Sequence, residues 1–179
     1  SNSMPLEILD SLVSEIQYAG TPTSKVVVFH NAGNGAFCAG ASFYELMEVQ
    51  NQKEGMEFFS GFANVINAMR KCTKLIIGRI HGKCVGGGFG LASSVDYAIA
   101  IKYDAVQLSE LAIGMGPFVV GPAIERKIGV SAFSQLAIDA TLWRSADWAK
   151  QKGLFAEVHQ SVTDMDESID SIANTLANL

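Results

Sequence analysis

The sequence predicts an α/β fold built on crossover connections, and two observations carry that prediction. Short β-branched runs at 25–29 and 75–80 are each followed by a glycine-rich loop and then by a helical pattern. A third run, 97–101, follows the second of those helices, so the order strand, glycine loop, helix, strand occurs twice. Strands that alternate with helices in this way pair in parallel and are joined by helical crossovers. The chain has 179 residues, 49% of them hydrophobic, which is enough to bury a sizeable core. Nothing in it reads as a linker, so a single domain over 1–179 is expected.

Each element has its own signature. Leu6, Leu9, Leu12, Val13 and Ile16 recur at helical spacing, with Pro5 suited to the first turn and Gly20 to the stop, giving a helix over 5–19. The 25–29 run reads as a buried strand, and 31–40, with three Gly and two Asn, as a loop. Met56, Phe59, Phe62, Val65, Ile66 and Met69 form the stripe of a core-facing helix. A second buried strand at 75–80 leads into a glycine turn at 82–88, a short helix at 89–94 and the third strand. A brief strand at 106–108 is followed by Glu110, in a loop that runs to Gly114-Met115-Gly116-Pro117. Helices are expected at 122–128, 131–140 and 146–152, then a small strand at 157–159. Ile169, Ile172, Ala173 and Leu176 share one face of a last amphipathic helix over 165–179.

Composition narrows the function. The net charge is -5, and Arg70-Lys71 and Arg126-Lys127 are isolated basic pairs, so a nucleic-acid partner is not expected. Cys38, Cys72 and Cys84 are odd in number and lack metal-ligand spacing, which points to reduced thiols and no metal site. Residues 1–5 have no charged side chain, and no apolar run reaches the roughly 20 residues of a membrane span. The expectation is a soluble, cytoplasmic protein with no membrane partner.

The run Gly86-Gly87-Gly88 stands between a buried strand and a helix. The first N–H groups of a helix have no partner within it, the helix dipole favours negative charge there, and glycine lets a ligand approach the backbone. Such a site holds a phosphate or a developing oxyanion. Tight strand–helix packing would equally account for the glycines. The run has neither the spacing of a dinucleotide fingerprint nor the Lys-Ser or Lys-Thr of a phosphate-binding loop. A second loop, Ala36-Phe37-Cys38-Ala39-Gly40-Ala41, follows another strand and can present the N–H of Ala41 as a second donor. Glu110 is set among Leu108, Leu111, Ala112 and Ile113, where partial burial raises a carboxyl pKa and suits it to proton transfer. Asp96 reads as a turn or cap residue, and Glu125 as a partner of Arg126 or a solvated side chain. His30, His81 and His159 fit no nucleophile–histidine arrangement and read as structural, and Trp143 and Trp148 read as core.

Three segments together resemble the crotonase family, also called the enoyl-CoA hydratase/isomerase superfamily. Ala36-Phe37-Cys38-Ala39-Gly40-Ala41-Ser42-Phe43 resembles the family's Phe-x-Ala-Gly-Ala-Asp-Leu loop. The stretch from Ile80 to Ala92 with Asp96 resembles its Asn-Gly-x-x-x-Gly-Gly-Gly helix start and following Asp. Val106-Gln107-Leu108-Ser109-Glu110-Leu111-Ala112-Ile113-Gly114 resembles Phe-x-x-Pro-Glu-x-x-x-Gly. The resemblance implies a crotonase-like (ClpP/crotonase) spiral of repeated ββα units, acyl-CoA thioester substrates, and trimers or hexamers. It assigns the two oxyanion-hole donors to Ala41 and Gly87 and the catalytic carboxylate to Glu110. It places the adenine end of coenzyme A along Ala39, Ala41, Ser42 and Phe43, and the acyl pocket around Gly86, Gly90, Met115, Pro117 and Phe118. Coenzyme A enters as part of the substrate, and no separate cofactor is implied.

Two positions depart from the family pattern. Gly90 stands where two-Glu hydratases carry their first catalytic Glu, and Ser42 replaces an Asp. The Leu-Ser-Glu form of the third motif and the Gly90-Leu91 pair resemble single-Glu hydratases such as bacterial 3-methylglutaconyl-CoA hydratases. Set against the family pattern, the chain is short, lacking the first strand and the C-terminal helices. The expected activity is addition of water across the 2,3 double bond of an enoyl-CoA. The alternatives are a Δ3,Δ2-enoyl-CoA isomerase, which needs one base, and a non-catalytic binding protein on the same fold.

Overall fold

Parallel pairing organises the chain. The structure, a computed structural model, describes residues 2–179. Helix α1 (Leu6–Ala19) precedes strand β1 (Val27–His30), helices α2 (Phe43–Glu48) and α3 (Gln52–Lys71), and strands β2 (Ile76–Ile80) and β3 (Cys84–Val85). Then come helix α4 (Gly87–Ser94), strands β4 (Tyr97–Ile101) and β5 (Ala105–Gln107), a 3₁₀ turn (Glu110–Ile113) and helix α5 (Gly121–Ile138). Strand β6 (Arg144–Ser145), helix α6 (Ala146–Gln151), strand β7 (Glu157–His159) and helix α7 (Val162–Ala177) complete the order.

A four-stranded sheet has the order β1-β2-β4-β7, with every neighbouring pair parallel. A smaller sheet has the order β3-β5-β6, with β3 and β5 parallel and β6 antiparallel, and Cys38 bridges Cys84 beside it. Two units, β2–β3–α4 and β4–β5–α5, thus follow one plan: a strand in the large sheet, a short one in the small sheet, and then a helix. That is the ββα repeat the family resemblance implies. The small-sheet strands are two or three residues long, and β3 lies between Gly82 and Gly86, which is why it reads as a turn in sequence.

Several boundaries differ from the sequence reading for physical reasons. Helix α4 opens at Gly87, two residues before its first bulky side chain. Glu110 sits on the 3₁₀ turn and not in an open loop. The two helices expected at 122–128 and 131–140 are both present within α5, divided at Gly129, whose φ of 80° and ψ of 161° break the helix, and they span 121–138. Helix α7 begins at Val162 because Ser161 caps it, its hydroxyl accepting from the Asp164 N–H. Pro5 precedes α1 instead of entering it, and the Glu45 carboxylate accepts the first free N–H, from Leu6. No helix among the described residues is long and apolar enough to cross a membrane.

Helix α4 is the centre of the core, with every residue from 88 to 94 buried. Its two polar side chains are satisfied locally: the Ser93 hydroxyl donates to the Phe89 carbonyl and the Ser94 hydroxyl to that of Gly90. At its far end Asp96 is the turn residue expected, its carboxylate accepting from Ile76 N–H at 2.8 Å while its own N–H donates to the Ile76 carbonyl.

Asp104, which the sequence reading passed over, ties the two sheets together. It is buried in the β4–β5 turn and accepts from the Gly82 and Ile101 N–H groups, both at 2.7 Å. Burial raises its pKa, and those two hydrogen bonds oppose the rise. Asp104→Ala orphans two N–H groups and is expected to cost about 2 kcal/mol or more, with Asp104→Asn milder because its amide oxygen keeps one of them. Urea denaturation of the two variants checks the order; equal midpoints would remove Asp104 from this role.

Candidate active site

The segment 38–42 is held from both sides. On one side the Cys38 N–H donates to the Lys83 carbonyl and the Val85 N–H to the Cys38 carbonyl. On the other, the Asn2 side chain donates to the Phe37 carbonyl, and the Ala39 N–H donates to the Asn2 carbonyl. Met4 then bonds the residues either side of Ala41: its N–H donates to the Gly40 carbonyl at 2.8 Å, and its carbonyl accepts from the Ser42 N–H. The bridge between Met4 and Ala41 thus uses its neighbours' groups and not the Ala41 N–H itself. Gly40 has φ of 88°, and a Cβ there would lie 3.2 Å from the Val85 carbonyl oxygen and 3.7 Å from the Gly87 nitrogen. The backbone leading to Ala41 therefore lies beside the opening of α4.

Glycine is required at that opening. Gly86 adopts φ of 50° and ψ of -113°, a conformation that L side chains rarely take. Its carbonyl accepts the first intrahelical bond, from Gly90, so the N–H of Gly87 belongs to the unpaired first turn. A Cβ on Gly88 would lie 2.3 Å from the Cys38 carbonyl oxygen, and one on Gly87 would meet the Phe62 ring at 2.5 Å. Helix α4 can approach the 38–42 segment only because these positions have no side chains.

Glu110 completes the arrangement. Its carboxylate lies against Gly86, with Oε1 3.0 Å from where a Cβ would stand there. Oε2 is buried and has no hydrogen-bond partner. Burial holds the pKa above the ordinary carboxylate value. A carboxylate with an unused acceptor and a raised pKa is equipped to take and return a proton.

These groups share one cavity of about 250 Å³. Ala39, Ala41, Ser42, Phe43, Gly86, Gly87, Glu110, Met115 and Pro117 all line it. Gly90 and Phe118, expected to shape the pocket, do not. Gly90 faces Val120 and Ile66, with Val120 Cγ1 2.6 Å from the site of a Cβ, and Phe118 is 86% exposed, its ring folded back over Gly116. The walls that sequence reasoning missed are aromatic: Phe58, Phe59 and Phe62 of α3 line the cavity. Phe59 and Phe62 were part of a core stripe by spacing, and periodicity does not separate a core wall from a pocket wall. Ser42 also caps α2, its hydroxyl accepting from the Glu45 N–H.

The remaining candidates fall outside the cavity. His30 bonds the Asn31 carbonyl, His81 lies 3.6 Å from Asp104, and His159 bonds Glu157. Trp143 is not core: it is half-exposed, with the Lys83 ammonium 4.6 Å above its ring. Among the described residues no three His, Cys, Asp or Glu side chains are grouped as a metal site requires.

Comparison with known proteins bears on this geometry. The chain is 28% identical over 135 residues to the mitochondrial 3-hydroxyisobutyryl-CoA hydrolase of Bos taurus, a match covering 72% of this chain and 35% of that protein. It is 26% identical over 167 residues to the peroxisomal Delta(3,5)-Delta(2,4)-dienoyl-CoA isomerase of Arabidopsis thaliana, covering 85% of this chain and 58% of that one. The chain thus spans about a third of the length of the first relative and somewhat over half of the second. The crystal structure of an enoyl-CoA hydratase from Bacillus anthracis superposes with a TM-score of 0.90 at 27% identity, covering 99% of this chain and 68% of that one. Residues 1–178 match the family described as enoyl-CoA hydratase/isomerase, and the chain belongs to that family.

Proposed function

We propose that the chain binds an acyl-CoA thioester and adds water across the 2,3 double bond of its enoyl group. One observation carries this reading. The unpaired carboxylate oxygen of Glu110 lies in the same cavity as Ala41 and the opening of α4. The thioester oxygen accepts from the N–H groups of Ala41 and Gly87, which stabilise the negative charge that develops there as C3 is attacked. Glu110 takes a proton from the attacking water, and the resulting hydroxyl bonds to C3. The same carboxyl then returns the proton to C2, so one group serves both steps and is regenerated. Coenzyme A is part of the substrate, and no further cofactor enters.

The acyl end of the cavity is built of Phe58, Phe59, Phe62, Leu46, Ile113 and Val119, and no Lys, Arg or His lines the cavity. A chain ending in a carboxylate finds no counter-charge there. This supports uncharged enoyl groups such as crotonyl over 3-methylglutaconyl. Exposed apolar side chains at the mouth, Phe43, Tyr44 and Met47 of α2, support assembly as a trimer or hexamer, which sedimentation measures directly.

A second reading rests on Gly90. Val120 and Ile66 fill the space beside it, so Glu110 is the carboxylate that lines the cavity among the described residues. One carboxylate suffices to remove an allylic proton and return it two carbons away, the work of a Δ3,Δ2-enoyl-CoA isomerase. Incorporation of ¹⁸O from solvent water into 3-hydroxyacyl product favours hydration, its absence with a migrated double bond favours isomerisation, and release of free coenzyme A thiol indicates hydrolysis.

Glu110→Gln is expected to lower kcat on crotonyl-CoA by about a hundred- to ten-thousand-fold. Undiminished turnover would remove Glu110 from the mechanism. The same variant is expected to be more stable at neutral pH. The folded protein penalises the ionised carboxylate, as its raised pKa records, so the penalty applies above that pKa and disappears as pH falls to the ordinary carboxylate range. A Tm measured across pH should show a gain at neutral pH that shrinks toward acid. In the unsubstituted protein the acid limb of kcat/KM should lie above the ordinary carboxylate range, because Glu110 must be ionised to act as base. Gly40→Ala places a Cβ at positive φ against the Val85 carbonyl and displaces the Ala41 N–H. It is expected to lose about 1–3 kcal/mol of stability and at least about tenfold in kcat/KM.

A further inference from the structure

A second cavity, of about 220 Å³, lies between α3 and α5 over the last turn of α4. Helix α3 presents Ala63, Ile66, Asn67 and Arg70 to it, the i, i+3, i+4, i+7 positions of one face. Helix α5 contributes Arg126 from the facing side. Ser93 and Ser94 form the floor, both more than nine-tenths buried. Small side chains at Ala63 and Ala123 leave the space open.

The charge of this cavity runs against that of the protein. The chain carries a net -5, yet the charged side chains lining the cavity are both arginines. Neither guanidinium forms an ion pair within 4.0 Å of a carboxylate among the described residues. Glu125, next to Arg126, is exposed and does not line the cavity. Lys127, next in sequence, does not line the cavity; burial first, and then the charge of Arg126, depress its pKa, while the charge of Asp96 opposes them. An arginine fork is suited to bidentate contact with phosphate or carboxylate oxygens.

The floor discriminates among oxyanions. The hydroxyl protons of Ser93 and Ser94 are committed to the Phe89 and Gly90 carbonyls. Their oxygens are thereby left as acceptors. A carboxylate or a sulfate offers such acceptors no proton, whereas inorganic phosphate at neutral pH keeps a P–OH, and the phosphate monoester of a polyol offers the free hydroxyls of its alcohol instead.

We propose that Arg70, Arg126 and Asn67 form a phosphate-binding site, with Ser93 and Ser94 accepting from the ligand's hydroxyl, separate from the cavity that holds Glu110. The ligand is inorganic phosphate or the phosphate of a small monoester. The site stands on the opposite end of α4 from Gly87 and is independent of the acyl-CoA reading.

The test is an ¹⁵N-resolved NMR titration of the full chain with inorganic phosphate, glycerol 3-phosphate, sulfate and acetate at constant ionic strength. Saturable shifts are expected at the amides of Asn67, Ser93 and Ser94, with phosphate species bound more tightly than sulfate and acetate weakest. Arg70→Gln and Arg126→Gln should each weaken phosphate binding by roughly tenfold or more. Both positions are exposed, so the variants should keep the unsubstituted spectrum elsewhere. Tighter binding of glycerol 3-phosphate than of phosphate identifies a monoester as the ligand, and the reverse identifies the free ion. Absence of saturable shifts, or shifts unchanged in the Arg70→Gln/Arg126→Gln double variant, overturns the site. Shifts confined to Ala41, Gly87 and their neighbours do the same, since they would place the phosphate in the first cavity. Equal binding of sulfate and phosphate overturns the role given to the serines.

Discussion

The close approach of α4 to the segment 38–42 is the constraint on which the rest of the structure depends. A Cβ on Gly88 would overlap the Cys38 carbonyl oxygen, so the helix can sit where it does only with no side chain at that position. Each glycine in a helix costs up to about 1 kcal/mol relative to alanine. Here that loss is offset by burial, since all of α4 from 88 to 94 lies in the core and Phe89 and Leu91 are fully enclosed. The same approach brings two unpaired backbone N–H groups, from Gly87 and Ala41, toward one cavity. The packing of α4 and the placing of Ala41 and Gly87 on one cavity therefore follow from a single contact.

The contact is held by groups that do not line the cavity. Asn2 and Met4 pair with 37–42 from the outside, and Cys38 pairs with β3 from the inside, so the Ala41 segment behaves as a strand fixed on both edges. Asp104 fixes the other arm by accepting the Gly82 N–H just before β3. All of these anchors come from far along the chain, and each satisfies a backbone group. A site formed by backbone N–H groups needs this kind of support, because no rotamer can correct a misplaced main chain.

How much of this could be read from the sequence follows from the range of each interaction. The parallel α/β pattern, the glycine opening of α4 and the partly buried Glu110 were legible because each is encoded locally, in β-branched runs, in three consecutive glycines and in the apolar neighbours of one carboxylate. Asp104 was not, since nothing near it in sequence marks a turn Asp that accepts from a residue 22 positions away. Phe58 and Phe62 give the same lesson from another side. They stand on one helix with core residues, and whether a phenylalanine faces solid core or a cavity depends on what the opposing loop leaves empty. Phe118 failed as a pocket residue because its ring packs back over Gly116, in the space a Cβ would fill, and stays exposed, a contact invisible to spacing.

Gly90 shows how a missing functional group becomes part of the packing. Its lack of a side chain could be read as one lost carboxylate that a single substitution would restore. The structure places Val120 and Ile66 in the space a side chain would occupy, with Val120 Cγ1 2.6 Å from the Cβ site. A carboxylate there would displace Val120 and lie desolvated among apolar groups, where its charged form is strongly disfavoured. Val120 also lines the cavity that Glu110 shares, so moving it would reshape the acyl pocket as well. The absence of a second carboxylate is thus built into the packing of at least three residues, Ile66, Gly90 and Val120. Among the described residues the cavity offers one half-buried carboxyl, that of Glu110, and the packing beside Gly90 leaves no room for another.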